Sequence, residues 1–329
     1  MLTMPNEKIN IKNIDLSEDE ILSWGQGILQ TLLVDRTTGR NIYWATNDYE
    51  FKGEGYSFFD EITIEKITGK NARTIQPRIL KTSKSQRNRS RNMAEVFTPS
   101  WICNAQNNLI DEAWFGRKEV FNRVEDSAVT HKWIPTEGKI TSFPEGKSWK
   151  DYVTANRMEI TCGEAPYLCS RFDATTGEFF SDLNMRIGLF DRKLRLVSEN
   201  ANEEISDKTA GWRRWAMKGC QATYGFEFQG DNLLLAREAV LWTYREYYKD
   251  RWGRYPIATA LKKIAEIISW NLWQMDGITY GLPGYEPKED AEHPDINILP
   301  EYRLCRVMEW TADFTPTGKP TIFKNLIKR

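Results

Sequence analysis

An α/β fold is the class this sequence predicts, because three stretches share one pattern of strand, polar or glycine-bearing turn, and helix. In the first, Tyr224-Gly225-Phe226-Glu227-Phe228 reads as a short strand ending in an acid. Gln229-Gly230-Asp231 then makes a polar turn, and Asn232–Arg237 opens a helix that is apolar on one face. In the second, Arg157-Met158-Glu159-Ile160 leads through Thr161-Cys162-Gly163 into Glu164–Leu168. A glycine at that point lets backbone approach closely, and the helix start behind it welcomes negative charge. In the third, a helix over 258–270 runs into Asn271–Met275 and the turn Asp276-Gly277.

The other elements follow in chain order. Residues 1–20 are polar, and Ser17 is a plausible N-cap for a helix over Glu18–Leu32. Leu33–Asp35, the turn Arg36–Arg40, and Asn41–Ala45 read as strand, turn, strand. Short alternating segments continue to about residue 80. Trp101–Trp114 is helical after Pro99; residues 121–150 are irregular, with Pro135, Gly138, Pro144 and Gly146. Leu194–Val197 reads as a strand, Trp212–Lys218 as a helix, and Glu238–Asp250 as the continuation of the helix begun after Asp231. The stretch from 278 onward is rich in Pro and Gly and carries one strand, Leu304–Met308.

With 329 residues, 40% of them apolar, the chain can bury a sizeable core. Its 45 basic and 46 acidic residues nearly cancel, so a nucleic-acid partner has to be held by a local patch. Between Asn71 and Ala94 lies such a patch. Arg73, Arg78, Lys81, Lys84, Arg87, Arg89 and Arg91 occur there without an acidic residue. The segment is either a solvated linker or an arm gripping phosphates through Arg87, Arg89 and Arg91. Five cysteines without a CxxC spacing, and only two histidines, argue against a zinc site and for reduced thiols. No apolar run approaches the ~20 residues of a membrane span, and the start does not look like a signal peptide. A cytoplasmic location without membrane contact is the expectation.

Glu95-Val96-Phe97-Thr98-Pro99, the Glu159–Leu168 turn and the Glu227 strand, in this order, resemble the cofactor half of an S-adenosyl-L-methionine (AdoMet)-dependent DNA adenine-N6 methyltransferase. The stretches 95–108 and 224–241 are also similar to bacterial restriction endonuclease subunit M proteins. Glu159, Cys162, Gly163, Ala165, Tyr167 and Leu168 fit the first AdoMet motif, with Ile160 where Pro is usual. The resemblance implies a Rossmann-like core over 86–329 with a smaller N-terminal α+β extension over 1–85. It implies that Phe97, Thr98 and Pro99 close over the methionine end of the cofactor, lined also by Gly163. Glu227 would take the ribose hydroxyls, since a carboxylate offers several lone pairs and no competing donor. Phe226 or Phe228 would pack on the adenine, and Asp276 would meet its amino group. Each motif also has a local explanation: a strand-to-helix turn, a solvated acid, a helix end with an Asp-Gly turn, and a Thr-Pro helix start.

The sequence departs from the family in its catalytic half. No Asn-Pro-Pro-Tyr or Asp-Pro-Pro-Tyr occurs, the element that accepts hydrogen bonds from the target amine and stacks on the flipped base. Glu309-Trp310 stands where that element falls in chain order, and Asn47-Asp48-Tyr49 would suit a permuted order. Too little sequence follows residue 310 for the remaining strands of a complete methyltransferase sheet. Three readings stay open. The chain is a methyltransferase modifying double-stranded DNA in a restriction-modification system. Or it is a cofactor- or DNA-binding subunit acting with a restriction or second methyltransferase subunit. Or it is a DNA-processing protein of another kind, such as a nuclease, for which Asp60-Glu61 and Glu65-Lys66 are the only hints.

Overall fold

The structure, a computed structural model, describes residues 14–82, 86–87, 89–90, 98–125, 131–201, 208–285, 288–289, 297–298 and 301–327. The first helices are α1 (Glu18–Ser23) and α2 (Ile28–Leu33). The single helix expected over Glu18–Leu32 is broken because Gly25 and Gly27 take φ of 152° and 79°. A Cβ at Gly25 would stand 2.6 Å from that of Ala258, so the break also lets two segments close on each other. After α2 the chain turns at Asp35, whose carboxylate accepts from the backbone N–H groups of Thr37 and Thr38, and returns through the bridge Val34↔Asn41. A short α3 (Ile64–Ile67) precedes α4 (Ser100–Phe115).

The hairpin β1 (Asn122–Val124) and β2 (Trp133–Pro135) leads to α5 (Trp149–Thr154), which Ser148 and Asp151 start with a reciprocal capping box. Then come β3 (Arg157–Glu159), α6 (Leu189–Asn200), α7 (Lys208–Gln221), β4 (Thr223–Glu227), α8 (Gly230–Trp252), α9 (Ala258–Asn271) and β5 (Leu272–Gln274). The two-residue ladder β6 (Lys288–Glu289) and β7 (Asn297–Ile298) follows, then the hairpin β8 (Arg306–Trp310) and β9 (Gly318–Ile322) and a last helix α10 (Phe323–Ile327).

The sheet β3-β4-β5 is parallel throughout and follows chain order. Parallel strands need crossovers, and α6–α7 and α8–α9 supply them. The fold is therefore mixed helix and sheet around a small parallel sheet, in keeping with the α/β class. Met158 pairs with Tyr224 and Phe226 with Trp273, so these four share one face. That face packs on a second apolar cluster with Val307 and Phe323 from the C-terminal hairpin and helix. The main core lies among the helices, and Trp44, Ile62 and Leu32 of the N-terminal segment belong to it.

Leu194–Val197, expected as a strand, lies inside α6. Its helical period is hidden in the sequence because Asp191, Arg192, Lys193 and Arg195 are all buried. Each has a partner. Arg192 pairs with Asp111 and donates to Asn104 (2.9 Å), while the Lys193 ammonium donates to the carbonyls of Ala155 (2.8 Å) and Ala222 (2.7 Å). All five cysteines are unpaired and buried. Among the described residues no helix is long and apolar enough to cross a membrane, and no group of His, Cys, Asp or Glu side chains is arranged to hold a metal.

Candidate functional site

At the carboxyl end of the parallel sheet, two acids from adjacent strands come together. Ligands of open α/β sheets bind at this end. Glu159 closes β3 beside Gly225, and Glu227 closes β4. The glycine eases this approach: a Cβ at Gly225 would lie 3.2 Å from both Cβ and Sγ of Cys162, so with any other residue the turn after β3 would have to give way by a few tenths of an ångström.

That turn has an unusual backbone. Thr161, Gly163 and Ala165 have φ of 50°, 52° and 62°. Two of these are not glycine, and each left-handed non-glycine residue costs on the order of 1–3 kcal/mol. The turn aims the Gly163 N–H at the Glu227 carboxylate (2.8 Å), whose other oxygen accepts from Gln229 N–H (3.2 Å). A carboxylate has roughly four lone-pair sites, so Glu227 keeps acceptor capacity beyond these two bonds.

Glu159 is held differently. It accepts a long bond from Tyr167 N–H (3.4 Å), and its Oε2 is buried with no hydrogen-bond partner among the described residues. Burial pushes its carboxyl well above the usual range; the Tyr167 and Leu168 amides oppose this, and the nearby Glu227 adds to it. Burial also raises Glu227, against the amides of Gly163 and Gln229. Two buried acids side by side, one with an orphaned oxygen, make a site that favours hydrogen-bond donors and positive charge.

The remaining expected cofactor residues gather around this pair. Asp276 opens the turn after β5; its Oδ1 accepts from Ile278 N–H (2.8 Å) and it stays partly exposed. Gly277 lies so close to Phe226 that a Cβ there would be 3.1 Å from the ring. Met275 N–H donates to Glu227 O (3.0 Å), which ties the Asp276 turn to the end of β4. Phe228 is half-buried, its ring 6.2 Å from that of Phe58. Cys162 is buried with its thiol raised by desolvation, so it serves packing and not nucleophilic chemistry. Ala165 is fully buried at the third left-handed position. Thr98 lies against Tyr167, and its carbonyl accepts from the Cys103 thiol (3.7 Å). Pro99 precedes the first residue of α4, so the helix starts one position later than a Thr98 cap with Pro at the first helical position requires. Phe97 lies outside the described residues.

The basic arm is corrected at Arg89. Instead of reaching phosphates, this residue is 2% exposed. Its guanidinium meets Asp231 (2.9 Å), Asp48 (3.0 Å) and Gln229. Lys81 also reaches Asp231 (3.2 Å), and the Tyr49 hydroxyl donates to it (2.7 Å). Asp231 is desolvated, yet Arg89 and Lys81 hold its carboxyl far below the ordinary value. Arg78 N–H donates to Glu164 (2.6 Å). The arm is thus anchored to the loop after β3 and to the start of α8, at the carboxyl end of the parallel sheet. Arg87 is exposed, and Arg91 lies outside the described residues. Sequence reasoning missed the contacts of Tyr49, Lys81, Glu164 and Asp231 because each finds its partner far away in the chain.

Glu309 and Trp310 stand apart from this cluster. They close β8 at the opposite, amino end of the parallel sheet. Trp310 Nε1 donates to Asn271 (2.7 Å), just before β5, and Glu309 accepts from the Thr321 hydroxyl (2.5 Å). The five residues of β4 put roughly 16 Å between this end and Glu227. Both residues line a cavity of 790 Å³ that also includes Met158, Tyr224, Trp215 and Ala222. They are not in place to act on a group held at Gly163 and Glu227. Comparison with models of protein families, with curated proteins and with solved structures found no match.

Proposed function

We propose that this chain binds AdoMet at the carboxyl end of β3–β5 and serves in adenine-N6 methylation of double-stranded DNA, as a modification component of a restriction-modification system. The observation that carries this reading is the buried pair Glu159 and Glu227 around the Gly163 turn, with one carboxylate oxygen lacking any partner among the described residues. The donor groups of AdoMet suit that set. Glu159 Oε2 would take the ammonium, the remaining lone pairs of Glu227 the ribose hydroxyls, and Asp276 the adenine amine. When bound, the cofactor supplies an electrophilic methyl on a sulfonium. The chain's part is to orient it: Gly163 permits close approach, and the rigid turn tied to Glu227 fixes the depth at which the methionine end sits.

One observation favours a second reading, in which the amine-activating element comes from a partner subunit: Glu309 and Trp310 stand at the far end of the sheet. Calorimetric titration with AdoMet and S-adenosyl-L-homocysteine tests the shared core of both readings. Micromolar binding is expected, weakened by about 1–3 kcal/mol in Glu227→Ala, the worth of a buried hydrogen bond to a charged group. No binding by the folded parent chain would refute the proposal. Given binding, methyl transfer to DNA by the isolated chain selects the first reading, and its absence until a partner subunit is added selects the second.

A further inference from the structure

Away from the carboxyl end of the sheet, α7, α8 and α9 enclose a pocket of 310 Å³ whose lining carries Arg213, Arg214 and Lys263 and no carboxylate. None of the three cations makes an ion pair or a hydrogen bond among the described residues. Clustered cations left without counter-charges in a concave site are an electrostatic cost that an anion would offset. The nearest acid in sequence to the Phe314 wall is Asp313, and its carboxylate is taken by Thr311 and Thr315.

Two further features make this a recess suited to an oxyanion and not a surface charge run. Tyr244 lines it while only 1% exposed, and its hydroxyl has no hydrogen-bond partner among the described residues. Burial and the neighbouring Tyr248 raise that phenol above its ordinary value, against the charge of Arg213, so it is protonated and able to donate. Thr259 brings in the first turn of the 14-residue helix α9, where the Ala260 and Leu261 N–H groups bond to the Ile257 carbonyl and those of Ala258 and Thr259 have no carbonyl within the helix. The Phe314 ring supplies an apolar wall, with the Arg214 guanidinium 5.9 Å from its centroid. Arg forks, a buried hydroxyl donor and helix-start amides are the donors that phosphate oxygens accept from.

We propose that this pocket is a phosphate-binding site, taking the phosphate of a phosphorylated small molecule or of a nucleic-acid backbone. It is independent of the AdoMet reading. From Gly230, just after the end of β4, to Tyr244 is 14 residues of helix, roughly 21 Å. Failure of one proposal leaves the other standing.

The test is titration of the full chain with pyrophosphate and with a 20-base-pair duplex over a salt series. The variants are Arg213→Ala, Lys263→Ala and Tyr244→Phe. The control is Lys262→Ala, which removes a charge from the same helix outside the pocket; thermal melts check that each variant folds, and exposed Arg214→Ala replaces any that does not. Loss of pyrophosphate binding by about tenfold or more in Arg213→Ala, with under about twofold loss in Lys262→Ala, supports a small phosphorylated ligand. A reduction of the duplex salt slope by about 0.9 per pocket cation removed, absent in the control, supports a nucleic-acid phosphate. If the parent binds no pyrophosphate and the slopes are unchanged, the proposal is overturned. Equal losses in the pocket and control variants also overturn it, since they mark general charge attraction.

Discussion

Replacing Glu238 by glutamine should stabilise this protein at pH 8 and leave it nearly unchanged at pH 4.5. Glu238 sits in α8 with no exposed surface, and neither of its side-chain oxygens has a hydrogen-bond partner among the described residues. Facing it is Glu18 of α1, 2% exposed, whose Oε1 is also unpartnered, with Asp15 nearby. Burial dominates: it raises Glu238 well above the usual carboxylate range and takes Glu18 from 4.5 to about 8, with the surrounding acids adding to the effect. A carboxyl whose pKa rises on folding contributes stability that is fully present below its unfolded value and fades as pH climbs through its folded value. At pH 8 the folded chain must therefore keep protons that the unfolded chain has released. At about 1.4 kcal/mol per unit, the Glu18 shift alone is on the order of 4–5 kcal/mol. Glu238 is fully buried and raised by its own desolvation, with Glu18 and Asp15 adding to it, so removing its charge should recover a penalty of similar order, about 2–4 kcal/mol. The amide introduced by Glu238→Gln would in addition offer a donor to the orphaned oxygen of Glu18. Urea unfolding of parent and variant at pH 4.5, 6, 7 and 8 measures the difference directly. A variant no more stable than the parent at pH 8, or a gain of equal size at pH 4.5, would refute the reasoning.

Arg89→Met should destabilise by about 3–5 kcal/mol, because it leaves Asp231 buried with part of its counter-charge gone. In the same variant the acid limb of a stability–pH curve should move upward. Asp231 contributes stability above its unfolded pKa that is lost as pH falls through its depressed folded value, and without Arg89 that value is less depressed. Gly230→Ala should cost about 3 kcal/mol in chemical denaturation, since its Cβ would lie 2.1 Å from the Tyr43 carbonyl oxygen, on backbone that cannot swing aside. Arg87→Ala, on the exposed side of the arm, should leave the melting temperature unchanged and lower the salt slope of duplex binding by about 0.9.

The helices over 100–115 and 258–271 were legible in the sequence because apolar periodicity survives where the outer face is polar, whereas that over 230–252, buried nearly all round, was legible from the apolar run Leu233–Ala236 after a polar turn. So were the strand ends at Glu159 and Glu227, where a short apolar run meets a turn. The strand expected at Leu304–Met308 appears two residues later, as Arg306–Trp310. What stayed hidden has one physical cause, charge inside the protein. The buried cations of α6 masked its helical face, and Arg89 read as a solvent-facing cation because Asp231 lies 142 positions away. The gathering of Thr98, Gly163, Glu227 and Asp276 at one end of the sheet was implied only by their order along the chain.

Arg237 in α8 is completely buried and donates to the carbonyls of Val34 (3.0 Å), Ser269 (3.3 Å) and Leu272 (2.7 Å), and also to that of Leu32. The Tyr43 backbone likewise exchanges hydrogen bonds with the Gln274 side-chain amide. These clasps join positions separated by 205 and 231 residues. During synthesis at ~5–20 residues per second, the first segment waits roughly 10–40 s after leaving the ribosome before its acceptors meet that guanidinium. Throughout that interval the apolar residues around Leu32 and Trp44 have no permanent cover. Nascent chains of this protein should therefore engage chaperones early, and a fragment beginning after residue 85 should leave Arg237 with the Ser269 and Leu272 carbonyls but without those of Leu32 and Val34 and without the charge of Asp35, and fail to fold alone.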